Sequence, residues 1–113
     1  MIETTLLEYF SGKLNVDVYM EKPDIKPSSY VLLEKTGSTE VNHIPTAPIA
    51  IQSYAPTMAE AAALNQLVKA AAKQSIELPE ISAVRLNSDY NFTDTSTKEY
   101  RYQAVYVFTY YDN

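Results

Sequence analysis

The chain contains no cysteine, which excludes a disulfide scaffold, a thiolate metal site and a cysteine nucleophile. Its two glycines, Gly12 and Gly37, are too few for phosphate-binding loops or dinucleotide-binding motifs, which need several glycines at fixed spacing. No apolar run approaches the roughly 20 residues that cross a bilayer, and the first residues lack the basic and apolar parts of a signal peptide. We therefore expect a protein made in the cytoplasm, with no membrane segment and no cofactor.

Basic residues are also scarce. Nine lysines and arginines against fourteen acidic residues give a net charge of −5, the opposite sign to that which neutralises phosphates. Tight nucleic-acid binding is therefore disfavoured. With 113 residues the chain is long enough for one domain, 1–113, with a core that needs neither metal nor disulfide.

Local patterns predict an alternation of helices and strands. Thr57 and Glu60 form a capping box that marks a helix start, and Gly12 is a candidate stop for the first helix. Apolar spacing in the second helix predicts a buried stripe of Ala61, Leu64, Leu67, Val68 and Ala71. The predicted helices are 2–11 and 57–73, and the predicted strands are 16–20, 30–35, 49–54, 81–89 and 100–111.

Between these elements lie polar connections. Residues 36–48, with two prolines, are predicted to form a polar, hairpin-like loop, and residues 87–97 a polar turn region. The order α-β-β-β-α-β-β with short connections predicts an α+β fold: a mainly antiparallel sheet of four to five strands with two helices on one face.

The last strand is the most aromatic part of the chain. Side chains alternate faces along a strand, so Tyr100, Tyr102, Tyr106, Phe108 and Tyr110 share one face with Ala104. We interpret that face as core. The other face carries Val105 and Val107 among polar residues, which predicts that something covers it. Of the remaining tyrosines, Tyr54 and Tyr111 are candidates for contacts with another protein.

Residues suited to catalysis are few. His43 is the only histidine and lies in the predicted polar loop, where a general base would need a nucleophile and an orienting carboxylate brought in from elsewhere in the fold. Asp89 and Asp94 lie five residues apart across a predicted hairpin and could converge as a carboxylate pair for a divalent cation or for acid/base work, although turns favour such residues in any case. We predict no catalytic residue, no metal site and no enzymatic activity.

Taken together, several segments resemble a known family. They are residues 1–9 (MIETTLLEY), 30–37 (YVLLEKTG), 49–55 (IAIQSYA), 86–95 (LNSDYNFTDT) and 100–104 (YRYQA). With these segments, its size and its order of elements, the chain resembles the tail terminator, or tail-completion, proteins of long-tailed bacteriophages and prophages of Gram-positive bacteria.

The resemblance implies a structural protein of the virion, located at the junction of tail and head and present in the host cytoplasm during assembly. It implies a homo-oligomeric ring, a hexamer, that caps the tail tube, ends tail polymerisation and contacts both the major tail-tube protein and a head-completion or connector protein. DNA would pass through the ring without tight binding.

Under this resemblance, candidate residues can be assigned to the ring. The acids Glu34 and Glu40 would line or rim the channel. The subunit contact would use the third strand or the outer face of the last strand, with the candidates Ile49, Ile51, Tyr54, Val105, Val107 and Tyr111.

Three alternatives stay open at this point. Size and charge fit a head-closure or neck protein of the same junction equally well. A small ligand-binding domain or enzyme would require Asp89, Asp94 and His43 to meet in a concave pocket. An accessory prophage protein that inhibits a host factor would present one exposed patch on a monomer.

Overall fold

The computed structural model describes residues 1–111, apart from the side chain of Val41, so the last two residues of the predicted domain lie outside the described part. It contains two α-helices and a six-stranded sheet. The elements are α1 (Ile2–Lys13), β1 (Asp17–Tyr19), β2 (Tyr30–Lys35), β3 (Thr39–Val41), β4 (Ile44–Ala55), α2 (Met58–Gln74) with a 3-10 turn (Ser75–Glu77), β5 (Ile81–Asn91) and β6 (Tyr100–Tyr110).

The sheet has the strand order β1-β2-β4-β6-β5, and β3 pairs with the first part of β4. All neighbours are antiparallel except β1 and β2, which run parallel. The α+β class is therefore confirmed, but the sheet is mixed. A parallel pair requires the chain to return before the second strand begins, and residues 20–29, here called the connector, make that return.

Both helices pack on one face of the sheet. Ile2, Leu6 and Phe10 of α1 belong to the same buried cluster as Leu64 and Val68 of α2. The sheet supplies to this cluster the side chains of Val31, Leu33, Ala47, Ile49, Ile51, Ala104, Tyr106, Phe108 and Tyr110. Tyr106, Phe108 and Tyr110 on the aromatic face of the last strand are thus core, as predicted, whereas Tyr100 and Tyr102 at its start are only half-buried and lie outside this cluster.

The helix ends confirm one prediction and correct another. The hydroxyl of Thr57 accepts a hydrogen bond from the backbone N–H of Glu60 over 3.2 Å, so the predicted N-cap of α2 is confirmed. The predicted stop at Gly12 is wrong, because α1 continues to Lys13 and ends where Leu14 turns to an extended backbone. Leu67, predicted in the buried stripe, is 56% exposed.

The predicted hairpin-like loop 36–48 is a β-hairpin, formed by β3 and the first part of β4. Asn42 and His43 adopt φ values of 53° and 65° at its tip, a left-handed pair that matches a tight turn between β3 and β4. The strand that was predicted to begin at residue 49 is β4, and it begins earlier, at Ile44. It includes two prolines, Pro45 and Pro48. Pro48 has no backbone N–H to donate, but its carbonyl accepts a hydrogen bond from the backbone N–H of Thr36 over 3.1 Å.

The second hairpin is longer than predicted. β5 continues to Asn91, so the turn region shortens to residues 92–99, where Asp94 and Glu99 form an isolated bridge. The Oδ1 of Asp94 accepts from the backbone N–H of Ser96 over 3.0 Å, which accounts for an aspartate in the turn. β1 and β6 are each shorter than predicted, and Tyr111 follows the end of β6.

Neither helix in the described residues 1–111 is long and apolar enough to cross a membrane.

Candidate functional site

The sheet face opposite the helices, here called the open face, is built from rows of paired residues. Directly paired residues lie on the same face of a sheet. One row joins Tyr30, Tyr54 and Arg101 across β2, β4 and β6. The next rows along the strands are Leu32–Gln52–Gln103–Tyr90, Glu34–Ala50–Val105–Ser88 and Pro48–Val107–Arg85. The open face therefore changes from aromatic to aliphatic along its length.

The connector covers the aromatic end of the open face. The Lys22 ammonium lies 5.5 Å from the ring centroid of Tyr54, and Tyr30 and Tyr54 are buried together with Leu32. Part of the cover predicted for this face thus comes from the chain itself.

Glu99 anchors the connector. Its carboxylate lies 3.0 Å from the Lys22 ammonium, 3.5 Å from that of Lys26 and 3.1 Å from the Arg101 guanidinium. Burial opposes ionisation of this carboxyl, but Lys22 and Lys26 outweigh that effect and lower the pKa of Glu99. One carboxylate therefore holds the connector at two points.

A chain of amides and hydroxyls crosses the middle of the open face. The Tyr54 hydroxyl donates to Gln52 over 2.8 Å, the Gln52 amide donates to Gln103 over 2.7 Å, and the Gln103 amide donates to the Tyr90 hydroxyl. Gln52, Tyr54 and Gln103 are buried, and the exposed Tyr90 ends the chain, so these mutually satisfied groups stabilise the sheet.

The aliphatic end of the open face remains half-exposed. Val105 and Val107 project there beside Pro48, and no helix of the described chain packs over them. Glu34 lies on the same face, in the row of Val105, and is exposed. An apolar patch with an acid at its border is a surface that another protein could cover.

A second apolar surface lies on the helix side, between α2 and the edge strand β5. This α2–β5 groove has a volume of about 640 Å³. Its lining residues are Gln66, Lys69, Ala70, Lys73, Ile76, Val84, Leu86 and Tyr106. Ile76 and Leu86 are 48% and 44% exposed, so the groove is open to solvent and largely apolar.

An ion pair joins α2 to β5, the two elements that border the groove. The Lys69 ammonium of α2 lies 2.5 Å from the Asp89 carboxylate of β5, and the Asn65 amide donates to the same carboxylate over 2.8 Å. Burial opposes ionisation of Asp89, but the bonds from Lys69 and Asn65 outweigh it and lower the pKa of Asp89. The same contact raises the pKa of Lys69.

The predicted contact residues are divided among several environments. Ile49 and Ile51 are 1% and 0% exposed beneath the helices, which leaves them no surface to offer another molecule. Tyr54 is on the open face but is buried under the connector. Val105 and Val107 are half-exposed, and Tyr111 is 55% exposed. Ile49 and Ile51 were misassigned because both faces of their strand carry apolar residues, so the sequence does not reveal which face is outward.

The predicted acids are accessible. Glu34 lies on the open face, and Glu40 lies on β3 paired with Pro45.

The residues considered for catalysis do not form a cluster. Asp89 is paired with Lys69, Asp94 is bonded within its own turn, and His43 is exposed at the tip of the β3–β4 hairpin. Within residues 1–111, no three histidine or acidic side chains converge on a point where a metal ion could bind.

Sequence reasoning missed the α2–β5 groove. Leu86 belongs to a predicted strand and Lys69 and Lys73 to a predicted helix, but nothing local indicates that strand and helix leave a gap. A weak signal exists in α2, where Ala63, Leu67 and Ala70 add an apolar stripe to the outer side of a helix that already has a buried one. No protein-family model matches this chain, and no curated protein matches it either.

Proposed function

We propose that this protein is a structural component of a bacteriophage virion that forms a ring on the tail tube, ends tail polymerisation and joins the tail to the head. The proposal starts from the resemblance of five segments to tail terminator proteins. The α+β fold with the predicted order of helices and major strands is compatible with it.

The observation that carries the proposal is the placement of apolar surface on both faces of one sheet. Val105 and Val107 lie half-exposed on the open face, and Ile76 and Leu86 line the groove on the helix side. A ring built by head-to-tail contacts requires two different, complementary surfaces on each subunit. A monomeric enzyme has no such requirement.

The edge strand offers a further means of association. β5 is the last strand in the sheet order, and its outer edge pairs with no other strand in the described chain. Unpaired edges bind other strands readily.

The distribution of charge is compatible with DNA passage. The chain carries a net charge of −5, and Glu34 and Glu40 are exposed acids. A channel lined by acids repels the phosphate backbone and prevents DNA from binding tightly. We assign Glu34 and Glu40 to the channel or its rim.

The test is the molar mass of the purified protein by light scattering over a concentration series, alone and with the tail-tube protein of the same phage. A closed oligomer, formed alone or on the tube, is the expected result. A protein that stays monomeric and does not bind the tube protein at any concentration would contradict the proposal. Binding to the head connector in place of the tube would indicate a head-closure protein.

A paired substitution tests the open face. Val107→Lys places a charge on the half-exposed aliphatic patch, and we expect it to weaken assembly while leaving the monomer folded. Thr95→Lys, in the exposed turn after β5, adds the same charge away from both surfaces and serves as the control. Equal assembly of the two variants would remove the open face from the subunit contact.

A further inference from the structure

The connector presents one isoleucine almost completely to solvent. Ile25 is 90% exposed, the highest exposure of any large apolar side chain in the described chain. It lies between Pro23 and Pro27, whose rings restrict the backbone.

The connector is also fixed on both sides of this residue. Lys22 and Lys26 bind the same Glu99 carboxylate over 3.0 and 3.5 Å, so the two ends of the segment 22–26 are held against the sheet while Ile25 projects outward. A fixed apolar residue loses little conformational freedom when it binds, which favours its use in a contact.

The α2–β5 groove has the complementary character. Its floor is apolar, and Lys73 at its rim is exposed and forms no ion pair within residues 1–111. Asp24, next to Ile25, is exposed and equally without an ion pair in that part of the chain. Asp24, beside the projecting Ile25, therefore carries the charge opposite to that of Lys73, beside the apolar groove.

We infer that Ile25 of one copy enters the α2–β5 groove of a second copy, contacting Ile76 and Leu86, with Asp24 facing Lys73. The connector covers the open face, whereas the groove lies on the helix side, so the two surfaces are not equivalent and the contact is head-to-tail. Such contacts repeat around a ring. The inference rests on the proposed ring and names its subunit contact.

The absence of cysteine from the chain permits a direct test. Ile25→Cys and Leu86→Cys are made in separate chains that differ in mass through a tag, and the two are mixed under oxidising conditions with the tail-tube protein present. We expect a mixed disulfide-linked dimer. The matched control replaces Leu86→Cys with Arg85→Cys, an exposed neighbour that pairs on the opposite face of β5. The specific pair should link several-fold more than the control pair.

A charge exchange provides a second readout. Asp24→Lys and Lys73→Glu should each raise the apparent dissociation constant of the oligomer by about fivefold, as expected for an exposed pair converted to repulsion. Both substitutions in one chain should restore assembly, because the opposite charges then meet again. The unfolding midpoint of each variant reports whether the fold is intact.

The outcomes separate this contact from the proposed function. If the wild-type protein forms the ring but the cysteine pair links no better than its control, the contact is overturned and the ring stands. If no oligomer forms under any condition, the contact and the proposed function both fail.

Discussion

The rings of Tyr30 and Tyr54 stack face to face, with centroids 4.5 Å apart and planes inclined by 5°. Their hydroxyl groups have different surroundings. That of Tyr54 donates to Gln52 over 2.8 Å and accepts from Arg101 over 3.3 Å, whereas that of Tyr30 is buried without a hydrogen-bond partner in the described chain. Two similar rings therefore make different contributions to stability.

Replacing each tyrosine by phenylalanine should separate these contributions. Tyr54→Phe leaves the buried Gln52 without its donor, and we expect a loss of about 1 kcal/mol in the free energy of unfolding. Tyr30→Phe removes a hydroxyl that gains nothing from burial, so stability should stay within about 0.5 kcal/mol of the wild type or rise. Urea unfolding of the two variants measures the difference. A larger loss for Tyr30→Phe would show that its hydroxyl is bonded.

The buried Tyr30 hydroxyl should also make the fold sensitive to alkali. Burial raises the pKa of Tyr30 to about 12, with smaller contributions from Tyr54 and Glu99 against the opposing charge of Arg101. The unfolded chain ionises this tyrosine near pH 10, so stability should be complete below that pH and should fall as the pH rises toward 12. In Tyr30→Phe, this part of the alkaline loss should vanish. Unfolding free energies measured at pH 9 to 12 provide the test; parallel curves would contradict it.

The Lys69–Asp89 pair should stabilise the attachment of α2 to β5. Both side chains are 25% exposed, so the pair lies between a surface and a buried ion pair, and Asp89→Asn should cost about 1 kcal/mol at pH 7. The pKa of Asp89 is lowered in the folded chain, so its contribution is present above about pH 4 and is lost as the pH falls through the folded-state value.

The difference between Asp89→Asn and wild type should therefore disappear in acid. Glu8→Gln, on the exposed side of α1, is the control for a general change of charge. A difference that persists unchanged at pH 2 would assign the effect to the shape of the side chain instead of its charge.

Loss of the Glu99 carboxylate should release the connector. Glu99→Gln removes the charge that holds both Lys22 and Lys26, and we expect faster amide hydrogen exchange in residues 20–29 with little change in the helices. Glu21→Gln, an exposed acid on the connector with no ion pair within residues 1–111, is the control. Because the lysines are solvent-accessible, about 1 M salt should reduce the difference between wild type and Glu99→Gln. Unchanged exchange would show that packing alone holds the connector.

The most local features were the most predictable. The N-cap at Thr57 depends on residues three apart, and the buried face of β6 depends on an alternation that holds from Ala104 to Tyr110, so both could be read from neighbouring residues. The α+β class followed from the order of such elements. Boundaries at Pro45 and Pro48 were less accessible, because prolines usually end a strand and here lie within one.

Pairing and cover between distant parts of the chain could not be read in this way. The parallel pairing of β1 with β2 depends on the path of the connector, and the burial of Tyr54 depends on Lys22, thirty-two positions earlier in the chain. The α2–β5 groove is a gap between two elements, and a gap has no residue of its own to mark it in the sequence.

The helices, the major strands and the core side of the last strand follow from the spacing of apolar residues, because that spacing sets which side chains a regular element can bury together. Which apolar residues remain outside could be seen only once the chain was folded. Ile49 and Ile51 are buried while Leu67, Leu86 and Ile25 are exposed, although all are equally apolar. The physical reason is that exposure depends on what the rest of the chain places against a residue, and that is settled by packing over the whole domain.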